Sequence, residues 1–371
     1  MSQKNRVALI DPIGNHGGMN FYDDGLCLGL QAQNVQVFLF SNYISTFSEK
    51  SFPYFTSQWA TKNKLLKVFR FYIGIFKSLR KAKEHKVQSV HLHSFKANPR
   101  LLTVVWLAKK IIGRVILTNH DVSAFAGKDN KWVEERIHHL SDKIIVHNQF
   151  SKDELLKKLP EIKNKTSVIP HGNYLPFIEN NEVVDFEKKK TFTLLFFGQI
   201  KEVKGLDVLL NAFAEFSKDK EEVNLIIAGK VWKDSFEKYQ SIIDENNLEE
   251  KVELNIRYIA EEEIPKLYQR ADFIVLPYRR IYQSGVLLHS MSFGCPVIVS
   301  DLPPLKEMVE NGINGYVFKS EDTAALKAKL EEAYQNQQEI KLMRKACLTK
   351  MKNEFDWKQI GEKIKKLYEK N

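Results

Sequence analysis

The sequence predicts two open, doubly wound α/β domains in one chain. Short apolar or β-branched runs recur through its 371 residues, each followed by a stretch of helical patterning. The runs are continuous in apolar character, as expected of parallel strands buried on both faces. The length is too great for one ordinary domain and suits two, each large enough to bury its own core.

Taken in order, the predicted strands of the first half are VALID (7–11), VQVFLFS (35–41), VQSVHLH (87–93), VILTNHD (115–121), KIIVHN (143–148) and TSVIP (166–170). Those of the second half are TFTLLFFG (191–198), NLIIAG (224–229), VELNIRYI (252–259), DFIVLPY (272–278), PVIVSD (296–301) and GYVFK (315–319). Between them, HGNYLPFIENNEVVDFEKKK (171–190) has the Gly, Pro, Asn pairs and charge run of a linker. The expected division is therefore a first domain over 1–175, a linker over 176–190 and a second domain over 191–354. A final helix over 355–371 carries Trp357, Ile360, Ile364 and Leu367 on one stripe, which requires a docking surface.

Composition narrows the class. Apolar residues at 43% and charged residues at 27% are those of a folded, soluble protein and exclude a disordered chain. Cys27, Cys295 and Cys347 lie far apart without CxxC spacing, which argues against a disulfide framework or a zinc site and fits a reducing compartment. The start MSQKNRVALIDPIG lacks a signal peptide's pattern, and no apolar stretch reaches about 18 residues. A cytoplasmic protein that neither leaves the cell nor spans a membrane is expected. The absence of GxxxxGK[ST] and GxGxxG removes the P-loop and disfavours a dehydrogenase.

Ligands of doubly wound sheets bind beyond the carboxyl ends of the strands. Two such sheets, facing those edges across a common cleft, would suit a two-substrate transfer enzyme. In FFGQIKEVKGLDVLLNAF (196–213), Gly198 and Gly205 permit tight backbone paths, and Lys201 and Lys204 stand where a strand gives way to a helix. Two ammonium groups at a helix start are a site for a diphosphate. In YQSGVLLHSMSFGCPVI (282–298), a turn leads into a helix whose Leu287, Leu288 and Met291 face the core, leaving the amides of Ser284, Gly285 and Val286 for an anion. His289, one turn further on, is a candidate ligand or a packing residue. His120 ends the strand VILTNH, with Asp121 to orient it or cap the next helix. Gly17 and Gly18 open the first helix, where backbone can approach a ligand.

The combination FGQIKEVKGLDVLLNAF, RYIAEEEIPKLYQRADFIVLPY (257–278) and SGVLLHSMSFGCPVIVSD (284–301) resembles the C-terminal domain of family 4 glycosyltransferases. NHDV (119–122), GNHGGMNFYDD (14–24) and FDWKQIGEKIKKLYEK (355–370) resemble that family's N-terminal domain and its crossover helix. The resemblance implies the GT-B fold: a Rossmann-like acceptor-binding domain, a Rossmann-like nucleotide-sugar-binding domain and a C-terminal helix that docks on the first. It implies sugar transfer from a nucleoside diphosphate sugar to a hydroxyl of a glycan or lipid-linked acceptor, with retention and without metal or other cofactor, in surface polysaccharide or glycolipid assembly. Of the family's G-R-x4-K-G signature, the Lys is Lys204, the Arg position holds Gln199, and Lys201 is expected to supply the missing charge. The family's Glu-x7-Glu falls on Ile281 and His289, so His289 takes the place of the ribose ligand. By the same resemblance His120 contacts the transferred sugar, with Asp121 beside it, and Gly17 and Gly18 approach the donor diphosphate. A nucleotide-sugar epimerase and a catalytically silent sugar-nucleotide scaffold are the alternatives, the second motivated by the absent glutamates.

The net charge of +10 is uneven. Residues 62–114 hold fourteen Lys or Arg against one acid, Glu84, which gives 14 − 1 = +13 and leaves −3 for the remainder. On a helix over 64–86, Leu65, Phe69, Tyr72, Phe76 and Leu79 share a face expected to pack on the sheet, with Lys67, Arg70, Lys77 and Lys81 opposite. That basic face is expected either to be simply solvated or to attract an anionic membrane surface at the inner face of the cell membrane. Nucleic acid is not an expected partner, because no reader motif accompanies the charge.

Overall fold

The structure, a computed structural model, describes residues 5–122, 130–178 and 190–369. The chain divides into two compact units, residues 1–172 with 354–371 and residues 173–353.

The first unit runs β1 (Arg6–Ile10), α1 (Met19–Ala32), β2 (Gln36–Phe40), β3 (Ser51–Phe52), α2 (Thr56–Trp59), α3 (Lys64–Glu84), β4 (Ser89–Ser94), α4 (Pro99–Ile111), β5 (Val115–Asn119), α5 (Lys131–Leu140), β6 (Lys143–Val146), α6 (Gln149–Lys158) and β7 (Thr166–Val168). The second runs β8 (Phe192–Phe197), α7 (Leu206–Ser217), β9 (Val223–Ala228), α8 (Glu237–Glu245), β10 (Val252–Asn255), α9 (Ile264–Arg270), β11 (Phe273–Leu276), α10 (Gly285–Ser292), β12 (Val297–Ser300), α11 (Pro303–Lys306), β13 (Gly315–Phe318), α12 (Thr323–Gln335) and α13 (Ile340–Glu354), and α14 (Trp357–Tyr368) returns to the first unit. Among the described residues, both sheets are parallel throughout, in the orders β3-β2-β1-β4-β5-β6-β7 and β10-β9-β8-β11-β12-β13. Each order reverses once, between β1 and β4 and between β8 and β11. The carboxyl ends of those strand pairs are where such sheets bind ligands.

Helices cover the sheets through apolar stripes. Leu206, Leu209, Leu210 and Phe213 of α7 are buried with Leu194, Phe196, Leu225 and Ile227 of the second sheet. In the first unit, Ile360 and Ile364 of α14 join Leu26, Leu30 and the β1 residues Val7 and Leu9 in one core. The contact is close because Gly29 and Gly361 meet backbone to backbone: a Cβ on Gly361 would lie 2.1 Å from the Gly29 carbonyl oxygen. His91 at the centre of the sheet is bonded through Nδ1 to the Tyr368 hydroxyl at 2.6 Å.

Three expectations change. The division between units falls at Gly172, ahead of 175, because Asn173 and Tyr174 are bonded within the second unit, Asn173 Nδ2 to the Met351 carbonyl at 2.8 Å and the Tyr174 amide to Ser292 Oγ at 3.0 Å. Most of the expected linker, 179–189, lies outside the described residues. In α3 the buried face is Gly74, Ile75, Ser78, Leu79 and Ala82. The stripe of small residues Gly74, Ser78 and Ala82 lets the backbone approach: a Cβ on Gly74 would stand 2.6 Å from the Phe55 ring. Leu65, Phe69 and Phe76, expected inside, are instead 84%, 63% and 63% exposed.

Candidate functional site

In the second unit the sequence candidates converge at the sheet's reversal. β8 ends at Phe197, and the chain passes through Gly198 to a single tight turn in which the Lys204 amide donates to the Lys201 carbonyl at 2.8 Å. Both lysines therefore stand on one turn. Gly205 closes it with φ 66°, and a Cβ there would stand 1.9 Å from the Pro277 carbonyl oxygen, so only glycine fits at the end of β11. Lys204 Nζ lies 3.5 Å from the centre of the Tyr278 ring, a cation–π contact. Val286 adjoins the same turn, since its Cγ2 would be 3.3 Å from a Cβ on Gly198. Ser284 is the N-cap of α10, its hydroxyl accepting from the Leu287 amide at 3.2 Å. This differs from the expected role, because the Ser284 side chain completes the helix and the anion site narrows to the Gly285 and Val286 amides at its first turn.

Two residues that motif reading passed over support this site. Arg279 grips Asp207 through two bonds of 2.9 and 2.6 Å and the Glu202 carbonyl at 2.7 Å, bracing the lysine turn from the β11 side. Burial opposes ionisation of Asp207, but the bonds from Arg279 hold its carboxyl below the usual range. Tyr174 places its hydroxyl 3.3 Å from where a Cβ on Gly285 would stand. His289 is packed edge-on to Tyr174 and Tyr268, with Nδ1 3.1 Å from the Tyr268 hydroxyl. Burial pushes its pKa down to about 4, so it is a neutral imidazole where the resembled family carries a carboxylate.

In the first unit, the reversal between β1 and β4 carries Asp11, whose two oxygens accept from the Ile13 and Gly14 amides at 2.9 Å each. Gly17 and Gly18 follow in left-handed backbone, Gly18 capping α1 without a side-chain bond. His120 is buried, and its two ring nitrogens face histidines on either side: Nε2 is 3.1 Å from His93 Nδ1 and Nδ1 is 3.2 Å from His147 Nε2. Phe95 stacks on its ring at 4.6 Å. This corrects both readings of Asp121: the groups that orient His120 are His93 and His147, and the cap of α5 is Asn130, whose side chain accepts from the Val133 amide. The missed partners had a signal in the sequence, for His93, His120 and His147 are spaced by 27 residues each time. Each strand-helix repeat delivers one imidazole to the same edge of the sheet. Among the described residues, no group of three or more His, Cys, Asp or Glu is arranged to hold a metal ion, and no helix is long and apolar enough to cross a membrane.

Comparison with known proteins places this arrangement. The sequence profile described as Glycosyltransferase Family 4 matches residues 16–173, and that of glycosyl transferases group 1 matches 177–349. An uncharacterized glycosyltransferase of Methanocaldococcus jannaschii is 27% identical over 281 residues, 75% of this chain and 74% of that one. The UDP-Gal:α-D-GlcNAc-diphosphoundecaprenol α-1,3-galactosyltransferase of Escherichia coli is 25% identical over 328 residues, covering 82% of this chain and 80% of that one. Among solved structures, HepE of Anabaena in complex with UDP-glucose superposes with a TM-score of 0.72 at 16% identity over 98% of each chain. With two parallel Rossmann-like sheets and both family profiles matched in order, the chain is a GT-B glycosyltransferase of the group 1, family 4 type.

Proposed function

We propose that the protein transfers a sugar from a nucleoside diphosphate sugar to a hydroxyl of a lipid-linked acceptor at an anionic membrane surface, with retention at the anomeric carbon and without a metal ion. The turn at Lys201–Gly205 and the first amides of α10 support the donor half. In the step, the bond from the acceptor oxygen to the anomeric carbon forms as the bond from that carbon to the β-phosphate oxygen breaks. The departing oxygen keeps the electron pair, and the acceptor's proton passes to the released nucleoside diphosphate. Negative charge develops on that phosphate, and Lys204, Lys201 and the Gly285 and Val286 amides lower the barrier by being fixed in place before it develops. The UDP-glucose complex of the structurally similar HepE agrees with such a donor. Retention follows the family resemblance and is read from the anomeric configuration of the product by NMR. Transfer in EDTA is expected to keep its rate, since side chains and amides supply the positive field.

The observation that carries the lipid-linked acceptor is the outer face of α3. Leu65, Leu66, Phe69, Ile73 and Phe76 form an exposed stripe, followed by Arg80 and Lys83 and flanked by Lys64 and Lys77. A solvated helix has no use for five large apolar side chains in a row, whereas one lying in a headgroup layer buries them and pairs its cations with anionic lipid. The stripe leads toward the Gly17–Gly18 turn: Lys67 sits over the Trp59 ring at 4.1 Å, and Trp59 packs on His16 at 4.0 Å. The relative that acts on a diphosphoundecaprenol-linked sugar supports the same acceptor class, and surface polysaccharide or glycolipid assembly on the cytoplasmic side follows from it. Flotation with vesicles tests this. The protein should float with acidic vesicles at low salt, and Phe69→Ser with Phe76→Ser should lower partition by about tenfold each, from the lost burial of an aromatic ring. A wild-type protein that stays in solution with acidic vesicles defeats the membrane reading.

A further inference from the structure

The histidine row across the first sheet has a direction that its chemistry fixes. Its far end is His147 Nδ1, 3.0 Å from the Ile169 carbonyl oxygen. A carbonyl only accepts, so Nδ1 of His147 carries the proton and Nε2 offers a lone pair. His120 must then donate from Nδ1 to that lone pair, which leaves His120 Nε2 as an acceptor. His93 in turn donates from Nδ1 to His120 Nε2, and its own Nε2 becomes an acceptor. That nitrogen faces Asp23 Oδ1 at 3.1 Å, with both side chains buried. A lone pair and an ionised carboxylate cannot bond, so the row holds one proton more than neutral imidazoles and a carboxylate supply.

Two placements of that proton satisfy the bonds: on Asp23, or on His93 as an imidazolium beside an aspartate anion. The surroundings favour the first. Asp23 Oδ2 is buried with no hydrogen-bond partner, which an acid's carbonyl oxygen tolerates far better than an anion's. The neighbouring Asp11 accepts two amides and is the better seat for a negative charge. Tyr22 lies edge-on to the rings of His93, His120, His147 and His171 at 4.8 to 5.6 Å and closes the row off. Burial drives the Asp23 carboxyl above, and the His93 imidazole below, their usual ranges.

We propose that Asp23 is a neutral acid that acts as a positioning residue: it donates to His93 Nε2, sends every hydrogen bond of the row toward the Ile169 carbonyl, and holds His120 as its Nδ1–H tautomer. The row is not a proton wire, because it ends on a carbonyl that can pass nothing on. Its effect on sugar transfer rests on the reading that His120 belongs to the site.

The test is 15N NMR of the full chain labelled at histidine, with ring signals assigned by single replacement of each histidine. His93, His120 and His147 should each show a protonated Nδ1 and a bare Nε2 at neutral pH. Asp23→Asn should leave these signals in place and kcat within about threefold, because the amide nitrogen donates as the acid does, whereas Asp23→Ala should cost about tenfold in kcat with the donor KM unchanged. A His93 ring protonated on both nitrogens in the wild type, or a His120 that moves to Nε2–H in Asp23→Asn, overturns the proposal. Expected spectra together with an Asp23→Ala enzyme of full kcat uphold the row and remove His120 from the site.

Discussion

The two sheets reverse their strand order in the same way and furnish the reversal oppositely. In the second unit the crevice holds two lysines, two glycines and the open start of α10, a polar rim for an anion. In the first, the strand ends carry Asp11, His93, His120, His147 and His171, buried and bonded largely to one another or to backbone carbonyls. One fold thus makes a charged, ligand-ready edge and a neutral, internally satisfied one. The difference lies in whether the residue after each strand is long and cationic or compact and able to bond sideways to its neighbour strand.

Acid should break the comparison most strongly. Burial holds His147 at about 3 and His138 and His171 at about 4, and lowers His91, His93 and His120 as well. An unfolded histidine titrates near 6.5, so between that value and the folded ones the unfolded state binds more protons, and stability present above about pH 6.5 is lost as pH falls, at about 1.4 kcal/mol per pKa unit for each group. Asp11, raised to about 7 by burial first, has the opposite sign, its contribution fading as pH rises through about 7. Six histidines outweigh it, while the second unit has His289 alone among its described residues. Calorimetry near pH 4 should therefore show the first unit melting well before the second; a single shared transition would contradict this.

Lys204→Ala sharpens the comparison from the other edge. Transfer should fall about a hundredfold to a thousandfold, the scale for removing one preorganised transition-state contact, with the melting temperature little changed. Gly205→Ala should cost about 2 kcal/mol of stability, since it strains a left-handed residue against the Pro277 carbonyl, and should lower donor affinity with it. Lys201→Ala comes last, at about fivefold to tenfold in kcat/KM, the size of one more solvated cation. A larger loss at Lys201 than at Lys204 would exchange their roles.

Much of the fold was legible in the sequence because parallel strands buried on both faces leave unbroken apolar runs. All twelve runs contain a strand; β3, two residues at a sheet edge, is too short to leave a pattern. The lysine turn and the start of α10 could be read because small residues and charges mark such places locally. Arg279 could not, since its partner Asp207 is 72 residues away and either residue alone looks like surface charge. The α3 face was misassigned for a related reason: hydrophobic size suggested Leu65, Phe69 and Phe76, whereas close packing selected Gly74, Ser78 and Ala82. The direction of the histidine row needs distances, and no single motif contains it.

The Gly29–Gly361 contact also bears on how the chain is made. The first unit owns residues on both sides of the second, so a ribosome delivers α1 and its sheet long before α14 exists. Until then Leu26, Leu30 and His91 lack the cover of Ile360, Ile364 and Tyr368. The nascent first unit must wait, incompletely closed, while the whole of the second is synthesised.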